Sequence, residues 1–455
     1  MQRDLTTGSI TRHLLTTMSF MLVTMMFQTL YFLIDLYWVG RLGTEAVAAV
    51  GIVGNLTFVV LALTQMLGVG TTAVVAHAAG RKDHAEALLV FNQSQVMALV
   101  TGALFLVAGM AGRWAYARAM SADAATAALA ADYLTWFVPA MALQFAMVAM
   151  GSALRAIGNF KTGTVVGTVT VVINMICAPI LIFGWGTGYP LGVAGAAISS
   201  LIAIVIGNVW LAAYFLPRHA YLRFEIADWK PRFGLWRRML AIGLPAGFEF
   251  AVTAAYLAIV YSVTRRFGAA AQAAFGIGMR IFQAGFMPVV ALGFSVAPVA
   301  GQNFGARQAH RVVHTFRDAA WLAAAAMIAF MIACQIAPAS MVGVFSSDPE
   351  VIRLGSEYLR IASWGSAASG LIFVASSMFQ AMGNTMPSLI SSALRIVAVT
   401  ALLFLVAPMP GFELRWIWLL SVAAVFGQFA LSMALLRREF ARRLHWEPIV
   451  TPTTA

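Results

Sequence analysis

Asp35 lies in an apolar run, Tyr31-Phe32-Leu33-Ile34-Asp35-Leu36-Tyr37-Trp38-Val39-Gly40, and Glu249 lies in another, four residues after Pro245. An ionised carboxylate is costly in hydrocarbon, so an acid kept there is a functional candidate by default. The chemistry open to it is reversible: it takes up and releases a proton, or it holds a small cation. Asp35 stands four residues before Val39, about 6 Å from the end of its run at 1.5 Å per residue, so partial hydration is possible there. The plainer alternative is a hydrogen-bonded structural acid. Thr24, Gln28 and Tyr31 precede Asp35 by 11, 7 and 4 residues and share its helix face. Such a polar stripe can line a cavity or make hydrogen bonds between helices. For Glu249, Arg280 and Arg395 are the intramembrane cations available as partners, because buried charges are usually paired.

Other chemistry-bearing residues point to less. His310 and His314 are spaced i, i+4 without a third ligand, which reads as a solvated pair rather than a metal site. Cys177 and Cys334 both sit in apolar runs and read as packing residues. No GxxxxGK[ST] loop is found, which disfavours ATP-driven transport by this chain alone. Methionines crowd residues 18–26 and 141–150; soft surfaces of this kind suit promiscuous binding but more often are packing.

The scaffold for these residues follows from composition. The chain has 455 residues, 61% hydrophobic and 10% charged, which excludes a soluble domain and indicates a polytopic membrane protein. A helical span needs about 20 apolar residues, and twelve segments meet or approach this: about 14–39, 47–78, 88–112, 133–154, 163–184, 192–216, 239–264, 272–300, 316–338, 357–380, 388–408 and 415–436. No cleavable signal is evident. The net charge of +12 is topological rather than nucleic-acid-directed. With both termini cytoplasmic, nineteen of the 29 Lys and Arg fall on the cytoplasmic side, Arg3 and Arg218 among them, and eight on the other. That is the positive-inside bias.

The two halves repeat at an offset of 225. Arg41, Gly43, Ala46, Gly51 and Ile52 recur as Arg266, Gly268, Ala271, Gly276 and Ile277. Tyr133-Leu134 recurs as Tyr358-Leu359, and Ala156, Gly158 and Asn159 as Ala381, Gly383 and Asn384. Asp35 has no such partner; Val260 stands at its position. An even number of spans per half gives both halves the same orientation. The expected fold is therefore an all-α integral membrane protein of twelve transmembrane helices, in two six-helix bundles related by a pseudo-two-fold axis along the membrane normal. The expected lobes are residues 1–216 and 238–436, with a cytoplasmic linker at 217–237 and a cytoplasmic tail at 437–455.

The chain resembles the multidrug and toxic compound extrusion (MATE) family, closer to its DinF-like branch, over nearly its whole length. The matching stretches are Asp4-Leu-Thr-Thr-Gly-Ser9, Gln28-Thr-Leu-Tyr31 with Asp35 and Gly40-Arg-Leu-Gly43, Gly243-Leu-Pro245, Gly301-Gln-Asn-Phe-Gly-Ala306, and Ala381-x-Gly-Asn384. The resemblance implies that Asp35 is the first-span acid that trades a proton or Na⁺ against substrate. It implies that Gln28 and Tyr31, with Thr24 on the same stripe, line the amino-terminal cavity. Asn174 matches the fifth-span Asn, and coupling would rest on Asp35, Asn174 and Ser200. Glu249 would be a second proton or substrate-cation site, although the family's acid in this span lies further along, where Thr253 stands. Two departures stand out: Ala178 replaces a frequent fifth-span Asp, and Phe20 replaces a frequent first-span Pro. With one carboxylate and neutral oxygens left, protons are favoured over Na⁺, because hard cations prefer several oxygen ligands.

The reading is a proton-coupled antiporter, with Na⁺ as the second choice, that exports amphipathic and cationic organic compounds across the inner membrane. It is expected to be a monomer without metal, cofactor, enzymatic activity or nucleic-acid partner, in contact with membrane lipids. A lipid-linked oligosaccharide flippase of the same superfamily would need a cationic lumen, and Arg280 and Arg395 are too few for one. A specific metabolite exporter is a further alternative. A passive pore would be expected to carry repeated charge rings, and a membrane enzyme a paired constellation; neither is found.

Overall fold

A computed structural model describes residues 4–186, 188–217, 220–406 and 408–445; Arg3 and Arg218 of the charge count and residues 446–455 of the expected tail lie outside the described residues. The first half contains α1 (Ile10–Gly40), α2 (Thr44–Gly80), α3 (His84–Met120), α4 (Ala124–Ala156), α5 (Phe160–Phe183) and α6 (Gly192–Phe215). The second contains α7 (Phe233–Thr264), α8 (Ala269–Gly305), α9 (Ala309–Ile336), the short α10 (Pro338–Gly343), α11 (Pro349–Ala362), α12 (Ser366–Ala381), α13 (Met386–Val406) and α14 (Leu414–Arg443). The chain is 87% helical, without a strand among the described residues. Twelve spans are long and apolar enough to cross a membrane, α11 and α12 forming one of them, Pro349–Ala381.

Each expected apolar segment coincides with one span, and most of the helices run past it. At α3 and α4 the reason is capping: each starts where a side chain can accept a first-turn N–H, not where the sequence turns apolar. Asp83 accepts from Glu86 N at 2.9 Å, so α3 begins at His84 rather than near residue 88. Asp123 accepts from Thr126 N at 2.7 Å, so α4 begins at Ala124.

The chain divides into two compact units. The first gathers Leu15–Ala78 and Asp83–Ala255; the second gathers Leu5–Leu14, Ala79–Lys82 and the chain from Tyr256 onward. The division therefore falls inside α1 and inside α7. The first unit's core is built on Val39, Ala46, Ala49, Tyr133, Leu134, Phe137, Ala178 and Ile182. The second unit's core contains their repeat partners Ala271, Tyr358, Leu359 and Leu403, with Phe275 stacked on Trp418 at 5.1 Å between ring centroids. Lipid tails are as apolar as these side chains, so close van der Waals packing of small residues holds the helices together. Gly243 shows this: a Cβ there would collide with Met66 O, so α7 approaches α2 backbone to backbone.

Two segments outside the spans are gripped by buried amides. In the first unit, Asn92 donates to Arg223 O and accepts from Glu225 N and Trp229 Nε1, each at 3.0 Å. The adjacent Gln93 donates to Asp228 O and Lys230 O and accepts from Arg232 N and Trp236 Nε1, both at 2.8 Å. The linker is thus seated on α3 by the full hydrogen-bonding capacity of both carbonyl oxygens. In the second unit, Leu5 N donates to Gln302 Oε1 at 3.0 Å and Asn303 Nδ2 donates to Leu5 O at 3.1 Å. Arg311 reinforces this with hydrogen bonds to Asn303 Oδ1 at 2.8 Å and Gly8 O at 3.0 Å. The Gly301-Gln302-Asn303 stretch therefore anchors the residues that lead into α1.

Candidate functional site

Helix α1 carries Asp35 five residues before its end, and the chain leaves the helix through Gly43, whose φ of +114° suits glycine. The nearest cation in sequence, Arg41, donates to Tyr37 Oη at 2.7 Å and lies over the Tyr37 and Trp38 rings. Asp35 itself is half-buried, and its Oδ1 is sealed from solvent without a hydrogen-bond partner. The Tyr31 and Tyr133 phenols lie within electrostatic reach of its carboxylate.

Tyr31 connects α1 to α6, its hydroxyl 3.1 Å from Ser200 Oγ. Ser200 Oγ also accepts from Asn174 Nδ2 of α5 at 2.9 Å, and Asn174 Nδ2 reaches Ser199 Oγ at 3.4 Å. Ser199 and Ser200 send their own hydrogens to Ala196 O. Asn174 Oδ1, like Asp35 Oδ1, is buried without a partner. Two acceptor oxygens are thus left unsatisfied, Asn174 Oδ1 on α5 and Asp35 Oδ1 on α1, one turn from the Tyr31 that bonds Ser200. A buried acceptor without a donor costs about 1–3 kcal/mol. A proton on the carboxyl, or a small cation, removes that cost, which makes the cluster suited to reversible uptake of either.

The second unit serves as an internal control. At the positions of Asp35 and Asn174, 225 residues on, it has Val260 and Val399. Val260 and Val399 are fully buried in its core. Tyr256, the partner of Tyr31, likewise bonds a serine of the last helix, donating to Ser421 Oγ at 3.0 Å. The tyrosine–serine link therefore occurs in both halves, whereas the carboxylate and the amide of Asp35 and Asn174 occur in the first.

The remaining expected residues fall elsewhere. Thr24 joins α1 to α5, donating to Phe20 O at 3.0 Å with Thr164 Oγ1 at 3.2 Å. Gln28 is exposed on α1. Glu249 is half-buried on α7, and the hydrogen bonds that join Tyr31, Asn174 and Ser200 do not include it. Thr253, one turn on, donates to Glu249 O at 2.8 Å. Arg280 is exposed, while the Arg395 guanidinium lies over the Tyr256 ring at 5.3 Å. Among the described residues no group of three His, Cys, Asp or Glu could hold a metal ion. Tyr133, Thr164 and Ser199 were not expected at the site. The one signal for Tyr133 was its recurrence as Tyr358.

Comparison with known proteins matches this architecture. The MatE family model matches residues 21–180 and again residues 245–405, close to the offset of the internal repeat. The chain is 26% identical to the probable multidrug resistance protein YoeA of Bacillus subtilis over 89% of this chain and 88% of that one. It is 25% identical to the FAD transporter of Shewanella oneidensis over 80% of this chain and 81% of that one. Among solved structures, a MATE transporter in a bent conformation superposes with a TM-score of 0.90 at 22% identity, covering 96% of this chain and 97% of that one.

Proposed function

The chain belongs to the MatE family, and on that premise we propose that it is a secondary antiporter that exports amphipathic and cationic organic compounds in exchange for inward protons. The observation that carries the coupling is the pair of unpartnered buried oxygens, Asp35 Oδ1 and Asn174 Oδ1, whose repeat counterparts are the core valines Val260 and Val399. In this mechanism, protonated Asp35 has an O–H to donate and relieves the buried deficit, which favours one packing of α1 against α5 and α6. Deprotonated Asp35 regains its charge and favours a packing that lets water reach it. A ligand shifts a two-state helix bundle by its differential affinity for the two states, and the proton is such a ligand. Gln28, exposed one turn before Tyr31, is the group on this face left to meet substrate, with Tyr31 and Thr24 shaping the wall behind it. Na⁺ is the second choice of ion, because the cluster offers one carboxylate and few neutral oxygens. The positive-inside bias supports cytoplasmic termini, and likeness to bacterial export proteins supports an inner-membrane location.

Likeness to multidrug resistance and export proteins supports a broad range of drug-like substrates. Likeness to an FAD transporter favours a second reading, export of one large aromatic metabolite. Proteoliposome transport tests both. With an inward proton gradient, the purified protein moves a fluorescent organic cation, and Asp35→Asn reduces this to the rate of protein-free vesicles while eluting as a folded protein. Full transport by Asp35→Asn under the same gradient sinks the coupling assignment. An opposing Na⁺ gradient at fixed pH leaves transport unchanged if protons couple, and FAD counterflow in place of the cation distinguishes the second reading.

A further inference from the structure

Helix α9 starts where its repeat counterpart α3 starts, but with the charge reversed. The cap of α3 is the carboxylate of Asp83, and Glu86 follows in the first turn. The matching positions of α9 are Gln308 and Arg311. Gln308 provides no side-chain cap, and its Oε1 is buried without a partner. The positive end of the α9 dipole therefore lacks the anion that α3 carries.

Beside that end lies an open surface cleft of about 450 Å³. It is lined by His310, His314 and Arg317 of α9, by Phe440 of α14, and by Leu444 and His445 just beyond it. The three α9 cationic or donor side chains are spaced i, i+4 and i+7, so they share one face. No carboxylate is among the lining residues. The nearest acid, Asp318, lies 3.8 Å from His314 Nε2, and its Oδ2 already accepts from Thr11 Oγ1 at 2.6 Å. Arg317 is exposed, and no ion pair among the described residues includes it. Val313, Phe440 and Leu444 supply an apolar wall, with Phe316 packed edge-on against Phe440 at 5.9 Å. Arg437, Arg438 and Arg442 stand nearby on α14.

The geometry points to a phosphate-binding site: the cleft between the start of α9 and the end of α14 takes a phosphate group, held by the Arg317 guanidinium and the His310, His314 and His445 ring N–H groups. Charge-assisted hydrogen bonds of this kind are the strong ones. A phosphate here comes either from an acidic phospholipid, whose acyl chains would follow the apolar wall, or from solution. The assignment is independent of which ion couples transport.

The test uses the purified full-length protein in detergent, mixed with dioleoylphosphatidylglycerol, dioleoylphosphatidylcholine or inorganic phosphate. Native mass spectrometry counts retained lipid per protein, and phosphorus NMR follows inorganic phosphate. Phosphatidylglycerol is retained in preference to phosphatidylcholine, and Arg317→Gln lowers that retention about tenfold, as loss of one charge-assisted contact implies. Arg442→Gln, outside the cleft, retains lipid as the unaltered protein does. Retention that survives excess inorganic phosphate assigns the lipid headgroup; displacement by phosphate, with phosphate itself bound, assigns the soluble anion. Equal retention of the two lipids without phosphate binding, or equal losses for Arg317→Gln and Arg442→Gln, overturns the site. If Arg317→Gln fails to fold, the double variant His310→Gln/His314→Gln takes its place with the same expected loss.

Discussion

Lys82 and Arg307 are the two non-glycine residues that hold a positive φ among the described residues, at +59° and +56°, and they stand 225 residues apart at the ends of α2 and α8. Each closes its helix with the same pair of backbone hydrogen bonds. Lys82 N donates to Ala79 O and Asp83 N to Ala78 O, both at 3.0 Å; Arg307 N donates to Phe304 O at 3.1 Å and Gln308 N to Asn303 O at 3.0 Å. This is the left-handed helix stop usually given to glycine. Here a cation sits at the negative end of the helix dipole instead.

Left-handed backbone costs a side-chain-bearing residue about 1–2 kcal/mol. Lys82→Gly and Arg307→Gly are therefore expected to raise the thermal midpoint in detergent, each by a similar amount, while Lys82→Val lowers it. Opposite responses at the two sites would show that the repeated turns are not energetically equivalent.

Gly243 permits the backbone contact between α7 and α2. Gly243→Val is expected to cost about 1–3 kcal/mol through overpacking, seen as a lowered thermal midpoint. Gly234, with open space where its Cβ would be, is the control. Gly234→Ala, in the first turn of α7, is expected to leave the thermal midpoint unchanged or slightly raised.

Asn174→Val copies the residue that the second half carries at the same place. One amide donor to Ser200 and Ser199 is lost, worth about 0.5–1.5 kcal/mol, and one unsatisfied oxygen is removed with it. Stability should therefore change little while proton-driven efflux falls. Tyr133→Phe keeps the ring in its core and removes the phenol near Asp35; efflux measured against external pH should shift its profile without loss of folded protein.

Asp123, exposed at the start of α4, has its carboxyl held below the ordinary carboxylate value, first by the Thr126 backbone N–H and then by the Thr126 hydroxyl. A carboxyl lowered on folding contributes stability above its unfolded pKa, and that contribution is lost as pH falls through the folded value. The protection of the first α4 amides, measured as hydrogen exchange relative to the intrinsic rate at each pH, should therefore fall on acidification. Asp123→Asn keeps a cap and should remove that pH dependence.

The spans were legible because crossing a bilayer imposes a length on the sequence before any packing is known. Asp35 was legible because its cost in hydrocarbon is large whatever surrounds it. Tyr133, Thr164 and Ser199 were not. A hydroxyl can satisfy itself on the preceding turn of its own helix, as Ser199 does on Ala196 O, so its presence in an apolar segment announces nothing. Which helix it faces is decided by packing. The Gly301-Gln302-Asn303 stretch was visible as a motif, but its task of holding Leu5 spans 297 residues and leaves no local trace.

That distance has a consequence for biosynthesis. Leu5 leaves the ribosome long before Gln302 exists, and at about 5–20 residues per second the wait is roughly 15–60 s. Asn92 and Gln93 grip a linker that emerges only about 130–145 residues after them. The first unit can therefore close around its linker while the residues leading into α1 are still undocked at the membrane surface. They find their seat only once α8 and the start of α9 have been made, so their docking marks the passage of synthesis from the first unit into the second.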